Sequence, residues 1–340
     1  MKKIGFYNYY DYYNNNRMFD SNFVSNIGDD LSYPFKLLAS ESRKKGFEVS
    51  TIDTQPLDEY DAIVFLDFPT YKNRYFQELI RKKMDNLYLF VFENELVRPD
   101  NWDPTNYRFF RKVFSWNDDF VDNKKVYKFF LPNKLPRGIS SDPDKKKKLC
   151  CLIAGNKSSS HKKELYTERV KAIRWFENNA PDSFDLYGHG WDIHLFSGVF
   201  NPLNRVRMMT KLFAPRFPSF KGTLNSKHEI LEQYRFSICY ENARDIPGYI
   251  TEKIFDCFFA GCIPVYWGAP NIIQYIPENT FIDRRKFESY EKLFDFMVKM
   301  DEPTYLDYIR RMETYVNGPE IYSFGADNFC ATILQGIAGK

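Results

Sequence analysis

Strand-like and helix-like segments alternate along this chain, and they do so twice, on either side of one break. Residues 2–9, 47–52, 62–66, 87–92, 112–116 and 126–130 have the short apolar, β-branched and aromatic character of strands. Residues 34–45, stopped by Gly46, and 74–84 carry helical spacing. Between residues 132 and 148 the composition changes: Pro132, Pro136, Gly138, Ser140, Ser141 and Pro143 precede the run Lys145 to Lys148. A second series follows, with strands at 149–154, 184–187, 236–240 and 263–267. Its helices are expected at 162–178, 227–233 and 251–260, then on to the C-terminus. The helix at 162–178 would bury Tyr166, Val170 and Ile173, and residues 201–224 show no regular period. Such alternation specifies α/β architecture with mostly parallel sheets. We therefore expect two Rossmann-like domains facing a central cleft, at 1–140 and 149–340, with 141–148 as linker. The last helices are expected to pack back on the first domain.

Charge and cysteine content narrow the function classes. Forty-eight basic and 45 acidic residues leave a net charge of +3, which gives no basic excess for nucleic acid. The four consecutive lysines read as a solvated linker. No window holds the ~18 apolar residues of a transmembrane helix. The N-terminal MKKIGFYNYYDYYNNN turns polar too soon for a secretory signal, so a cytoplasmic location is expected, with peripheral contact at the inner membrane face left open. The six cysteines contain no CxxC; five sit in apolar runs and Cys330 in a late helical one, so buried free thiols are expected. His189 and His194 are spaced wrongly for a shared metal site, and no metal is expected.

In open α/β sheets ligands sit beyond the carboxyl ends of strands. That rule selects Glu93 and Glu95 in the first half. In the second it selects Gly155-Asn156, Tyr187-Gly188 and Glu241-Asn242. The strongest local pattern runs from Tyr240-Glu241-Asn242 to Gly248-Tyr249-Ile250-Thr251-Glu252-Lys253 and into an apolar helix ending at Gly261. Glu252 and Lys253 then lie in the first helical turn, where free N–H groups and the dipole suit a phosphate. A solvated Glu-Lys pair at an ordinary helix start is the alternative. Asp142-Pro143-Asp144 does not end an apolar strand and reads as linker rather than as a metal-holding pair. Gly188-His189-Gly190 lacks the third glycine of a dinucleotide fingerprint, since Ile193 stands there, and reads as a turn.

The block FSICYENARDIPGYITEKIFDCFFAGCIPVYWGAP, residues 236–270, resembles the donor motif of the α-1,3-fucosyltransferases, glycosyltransferase family 10. The resemblance extends over residues 149–281; ahead of them only Phe92-Glu93-Asn94 matches. It implies a two-domain GT-B fold, with the C-terminal domain holding GDP-β-L-fucose and the N-terminal one facing the acceptor. It also implies inversion at the anomeric centre and no required cofactor. Asn242, Tyr249, Glu252 and Lys253 would line the donor pocket, within a motif that also contains Glu241 and Thr251. Lys221 stands where the family has a basic residue near the diphosphate. Asn156 and Tyr187 match loop positions near the nucleotide, with ordinary loop polarity and a core tyrosine as alternatives. Glu93 would be the catalytic base, although an exposed strand-end glutamate is the other reading of that residue.

The expected reaction moves fucose to a hydroxyl of N-acetylglucosamine or glucose in an oligosaccharide acceptor. The expected context is lipopolysaccharide or other surface-glycan synthesis by a bacterial-type enzyme. A GT-B transferase using another nucleotide sugar, or a non-catalytic glycan-binding relative, would share much of this pattern.

Overall fold

The computed structural model describes residues 1–23, 32–136, 138–139, 142–194, 196 and 203–338. The first half comprises β1 (Lys2–Asn8), α1 (Tyr33–Lys44), β2 (Phe47–Thr51), β3 (Ala62–Leu66), α2 (Arg74–Arg81), β4 (Leu87–Val91), β5 (Lys112–Ser115) and β6 (Val126–Lys128). The second begins with β7 (Lys148–Ile153), α3 (Tyr166–Asn179), β8 (Phe184–Tyr187), α4 (Arg207–Leu212), α5 (Lys227–Leu231) and β9 (Tyr234–Tyr240). It continues through α6 (Glu252–Phe259), β10 (Ile263–Trp267), β11 (Ile282–Asp283), α7 (Tyr290–Lys299), α8 (Glu302–Val316) and α9 (Ala326–Ala338).

The strands form two sheets, β2-β1-β3-β4-β5-β6 and β11-β10-β9-β7-β8. Every pairing in both is parallel. Each sheet starts at an inner strand, steps outward once, then reverses, so the winding changes direction between β1 and β3 and again between β7 and β9. A crevice opens beyond the strand ends at such points. All residues of β3 and β4 are buried, because helices cover both faces of a parallel sheet and leave no solvated side.

The chain end returns to the first sheet. Asn133 N–H donates to the Phe324 carbonyl at 2.7 Å and Ala326 N–H to the Asn133 carbonyl at 2.9 Å. From there α9 lies against α1, and Phe329, Ile333 and Leu334 share a core with Ile4, Phe6 and Leu38. All six cysteines are buried free thiols.

Two local expectations are corrected. Helix α3 starts at Tyr166 rather than at residue 162, because the preceding residues pair elsewhere: Glu164 bridges Ala243, and Leu165 N–H donates to the Asn242 carbonyl at 3.0 Å. Its buried face is Tyr166, Arg169, Ala172, Ile173 and Phe176, with Val170 at the margin. The lysine run is not simply solvated. Lys146 Nζ donates to the carbonyls of Leu231 (3.2 Å) and Ala260 (2.6 Å), at the ends of α5 and α6. A cation there satisfies orphan carbonyls and the negative dipole ends. Lys145 pairs with Glu232 at 3.1 Å and Lys148 with Asp185 at 2.9 Å.

Candidate functional site

The loop between β9 and α6 joins the two sheets before it does anything else. Tyr249 is 3% exposed, its ring lies 4.7 Å from that of Trp116, and its hydroxyl accepts from Asn94 Nδ2 at 2.6 Å. Ala243, Ile246 and Tyr249 belong to the core of the first sheet. Gly248 has φ +78°, and a β-carbon there would lie 2.3 Å from the Trp116 carbonyl oxygen. Only glycine permits that approach. Asp118 completes the joint, accepting from Lys128 Nζ (2.6 Å), Asn271 Nδ2 (2.8 Å) and the Tyr275 hydroxyl (2.7 Å). The joint brings the carboxyl ends of β4 and β9 face to face.

On the β9 side, Glu241 is fully buried and held by three hydrogen bonds. Its carboxylate accepts from Thr251 N–H (2.8 Å), the Thr251 hydroxyl (2.7 Å) and Lys253 Nζ (3.2 Å). It thus caps α6 from another element, since Thr251, at the cap position, supplies no side-chain cap of its own. Gly268 leaves room for it: a β-carbon there would fall 2.6 Å from Glu241 Cγ. Burial opposes the Lys253 charge, but Glu241 and Glu252 outweigh it and hold its pKa above the usual lysine value. Burial likewise raises Glu252, yet Lys253 and Lys227 overcome it and bring Glu252 down to about 2.

Arg169 ties the strand end to α3, donating from Nη2 to the carbonyls of Tyr240 (2.7 Å) and Glu241 (2.9 Å) and to Asn242 Oδ1 (3.0 Å). A pocket opens here, at the reversal between β7 and β9; Ala154, Arg169, Lys227, Tyr240, Lys253 and Asp256 are among its walls. Lys227 pairs with Asp256 at 2.8 Å. Burial is offset by Asp256 and Glu252, so Lys227 rises to about 12, while burial takes Asp256 to about 6 against the Lys227 charge.

On the β4 side, Glu93 is partly buried and receives a 3.3 Å bond from the Tyr9 hydroxyl. Burial raises its pKa, opposed by Lys157, by the Tyr9 bond and by Lys253, whose charge reaches it across the cleft. Its backbone is clamped by Asp67, at the end of β3. Asp67 Oδ1 accepts from Phe92 N–H (2.7 Å), Glu93 N–H (2.9 Å) and Asn101 Nδ2 (2.6 Å), and Asn101 Nδ2 also reaches the Glu93 carbonyl (3.2 Å). Burial lifts Asp67 to about 7. Glu95 points elsewhere: its Oε1 lies 3.1 Å from Lys163 Nζ and 3.7 Å from His161 Nε2.

The structure thus gathers Glu93, Glu241, Asn242, Thr251, Glu252 and Lys253 around one crevice, with Tyr249 in the joint beneath. Asn156 stands at the adjoining loop, its Nδ2 donating to the Gly190 carbonyl at 2.9 Å and so tying two strand-end turns together. Tyr187 and Lys221 join a separate network. The Tyr187 hydroxyl meets that of Tyr234 at 3.0 Å, Tyr234 donates to Asp185 Oδ2 at 2.5 Å, and Lys221 Nζ lies 3.3 Å from Asp185 Oδ1. The Tyr187 hydroxyl is thus bonded inside the fold. Asp142 and Asp144 are exposed and sit in a local turn, with Asp144 N–H donating to Asp142 Oδ1 at 3.0 Å and Lys145 N–H to the Asp142 carbonyl at 3.2 Å.

Sequence reading missed Asp67 and Tyr9, although the same strand-end rule, applied to β3 and β1, selects both. Lys227 lies in a helix the sequence located, without a motif to mark it. Arg169 carried no signal, being an arginine on a helix face otherwise read as apolar.

Residues 143–333 match the family model "Glycosyltransferase family 10 (fucosyltransferase) C-term". An alpha-(1,3)-fucosyltransferase of Helicobacter pylori is 33% identical over 88 residues, 25% of this chain and 18% of that protein. GDP-fucose protein O-fucosyltransferase 3 of Xenopus tropicalis is 36% identical over 92 residues, 27% of this chain and 19% of that protein. The matched stretches therefore span less than a fifth of these relatives' length. A crystal structure of an alpha1,3-fucosyltransferase superposes with a TM-score of 0.60 at 16% identity, covering 100% of this chain and 90% of that one. The shared fold is of the GT-B type.

Proposed function

Because the chain belongs to glycosyltransferase family 10, the fucosyltransferase family, we propose that it transfers L-fucose from GDP-β-L-fucose to a glycan hydroxyl with inversion. The observation that carries this reading is the opposition of two strand ends. Glu93, a carboxylate with one weak side-chain hydrogen bond, faces Lys253 at the start of α6. The acceptor oxygen attacks C1 of fucose and gives its proton to Glu93, while the bond from C1 to the β-phosphate oxygen breaks and GDP departs. Lys253, Lys227 and the N–H groups at the start of α6 stabilise the charge that grows on the leaving diphosphate. Glu252, ionised beside them, accepts from a hydroxyl pair of the donor. Asp67 holds the Glu93 backbone so that its carboxylate meets the acceptor in a fixed place.

We take the acceptor to be N-acetylglucosamine or glucose in an oligosaccharide, with α-1,3 or α-1,4 linkage. A second acceptor class is favoured by one observation, the 36% identity to a GDP-fucose protein O-fucosyltransferase. GDP release should be followed with GDP-fucose, GDP-mannose and UDP-glucose as donors. Lactose, N-acetyllactosamine, its β1,3 isomer and a serine- and threonine-bearing protein should serve as acceptors. Turnover with GDP-fucose and a sugar is expected. Turnover with another donor alone rejects the fucosyl reading, and turnover with the protein alone moves the acceptor to a polypeptide hydroxyl. The rate is expected to be unchanged by EDTA.

A further inference from the structure

We propose that the surface carrying α4 docks this protein on an anionic phospholipid bilayer. Residues 203–216 contain four lysines and arginines and no aspartate or glutamate. That local excess is larger than the net charge of +3 of the whole chain. Within the same stretch, Val206, Met208, Leu212 and Phe213 are 45%, 73%, 72% and 54% exposed. No other eight-residue stretch among the described residues exposes more than two large apolar side chains. Helix α4 is amphipathic the wrong way round for a water-facing element. It buries Thr210 and turns Met208 and Leu212, four positions apart and so on one face, toward solvent.

The segment is held in that posture by the body of the protein. His194 N–H donates to the Thr210 carbonyl at 2.7 Å, the Phe213 ring lies 5.7 Å from Phe196, and the Phe217 ring lies 5.0 Å from Trp191. Arg174 stacks 3.9 Å over Phe217 and donates to the Arg216 carbonyl. The apolar side chains therefore need no refolding to enter another phase. Arg205, Lys211 and Arg216 are exposed around them, and no ion pair among the described residues engages them.

Charge selects the occupant. A second copy meeting this face about a two-fold axis would set the same cations against each other. An anionic bilayer offers both things the face lacks, an apolar phase just below the headgroups and a negative surface potential.

The test is flotation of the full chain with phosphatidylcholine vesicles, with and without phosphatidylglycerol. Binding to the anionic vesicles alone, weakened by high salt, is expected. Arg205→Gln/Lys211→Gln/Arg216→Gln should bind roughly a hundredfold more weakly, from the contribution of each cation near a charged surface. Met208→Ser/Leu212→Ser/Phe213→Ser should lose binding while melting and binding GDP like the parent. Equal binding to neutral vesicles, binding to neither, or binding untouched by both triple variants overturns the proposal. So does a dimer, seen by light scattering, that the serine variant dissolves. Vesicle binding is read without any assay of fucose transfer, so its outcome is separate from that of the catalytic reading.

Discussion

An aromatic residue, glutamate and asparagine stand at the carboxyl ends of both β4 and β9, as Phe92-Glu93-Asn94 and Tyr240-Glu241-Asn242. The two tripeptides sit at matching places, each at the carboxyl end of a buried parallel strand, and do opposite things. Glu241 has no exposed surface and three donors on its carboxylate; it fixes the start of α6 and the head of Lys253. Glu93 keeps one 3.3 Å side-chain bond, while the donors gathered near it bind Asp67 instead. A carboxylate closed off from the crevice by burial and already accepting three hydrogen bonds is not available to a substrate proton, and one left partly exposed with a single bond is. The asparagines divide similarly. Asn94 donates to Tyr249 across the joint, and Asn242 accepts from Arg169 within its own half.

The contrast breaks first at Glu93. Glu93→Gln is expected to lower kcat by ~10²–10⁴, the usual worth of a general base, with GDP affinity preserved. Glu95→Gln should cost far less, since Glu95 is engaged with Lys163. The reverse ranking, in two folded variants, would move the base to Glu95. The pH profile sharpens the same point. Burial raises the Glu93 pKa, so kcat/KM should fall as pH drops through a value above the usual ~4.3 of glutamate. Tyr9→Phe removes a bond that favours the carboxylate, and should move that limb to still higher pH. A limb that stays put would separate Tyr9 from the base.

Glu241 should respond in stability rather than in turnover. Glu241→Gln leaves Lys253 without its buried partner and is expected to destabilise the fold by about 3 kcal/mol in denaturant titration. Its companion, Lys253→Ala, should weaken GDP binding by ~2–5 kcal/mol in calorimetry. If Glu241→Gln melts like the parent while losing turnover, the division between a structural and a reactive glutamate is wrong. The smallest of these effects is expected in the joint. Gly248→Ala places a β-carbon against the Trp116 carbonyl and should cost about 1–3 kcal/mol. The halves then meet less exactly, so kcat should fall with it; an unchanged rate would show that the two strand ends do not depend on this contact for their alignment.

Much of the frame was legible because its causes are local. Apolar runs such as 62–66 and 87–91 announce strands buried on both faces, and the spacing of Ile254, Phe255 and Phe258 announces one helical stripe. The two exceptions have local causes too weak to compete. Residues 164–165 were drawn from α3 into pairing with the β9 loop, and Lys146 was drawn from solvent to two helix ends. The site was half legible. Its residues after β4 and β9 stood out by position, and those after β1 and β3 obeyed the same rule unnoticed. Arg169 was hidden because a buried arginine is explained only by the three acceptors waiting for it.

By itself the sequence determined two α/β series, their order, and a family pattern in residues 236–270, since periodicity and chain order are written residue by residue. Tertiary structure alone decided which glutamate is free. The protonation and hydrogen bonding of a carboxylate depend on what surrounds it, and the surroundings here are brought in by folding: Tyr9 and Asp67, 84 and 26 residues away, for Glu93, and Thr251 and Lys253, 10 and 12 residues on across the loop, for Glu241. Tertiary structure also placed Tyr249 in the joint between the sheets. Its place is set by Trp116 and Asn94 on the opposite sheet, which no local pattern in the sequence connects to it.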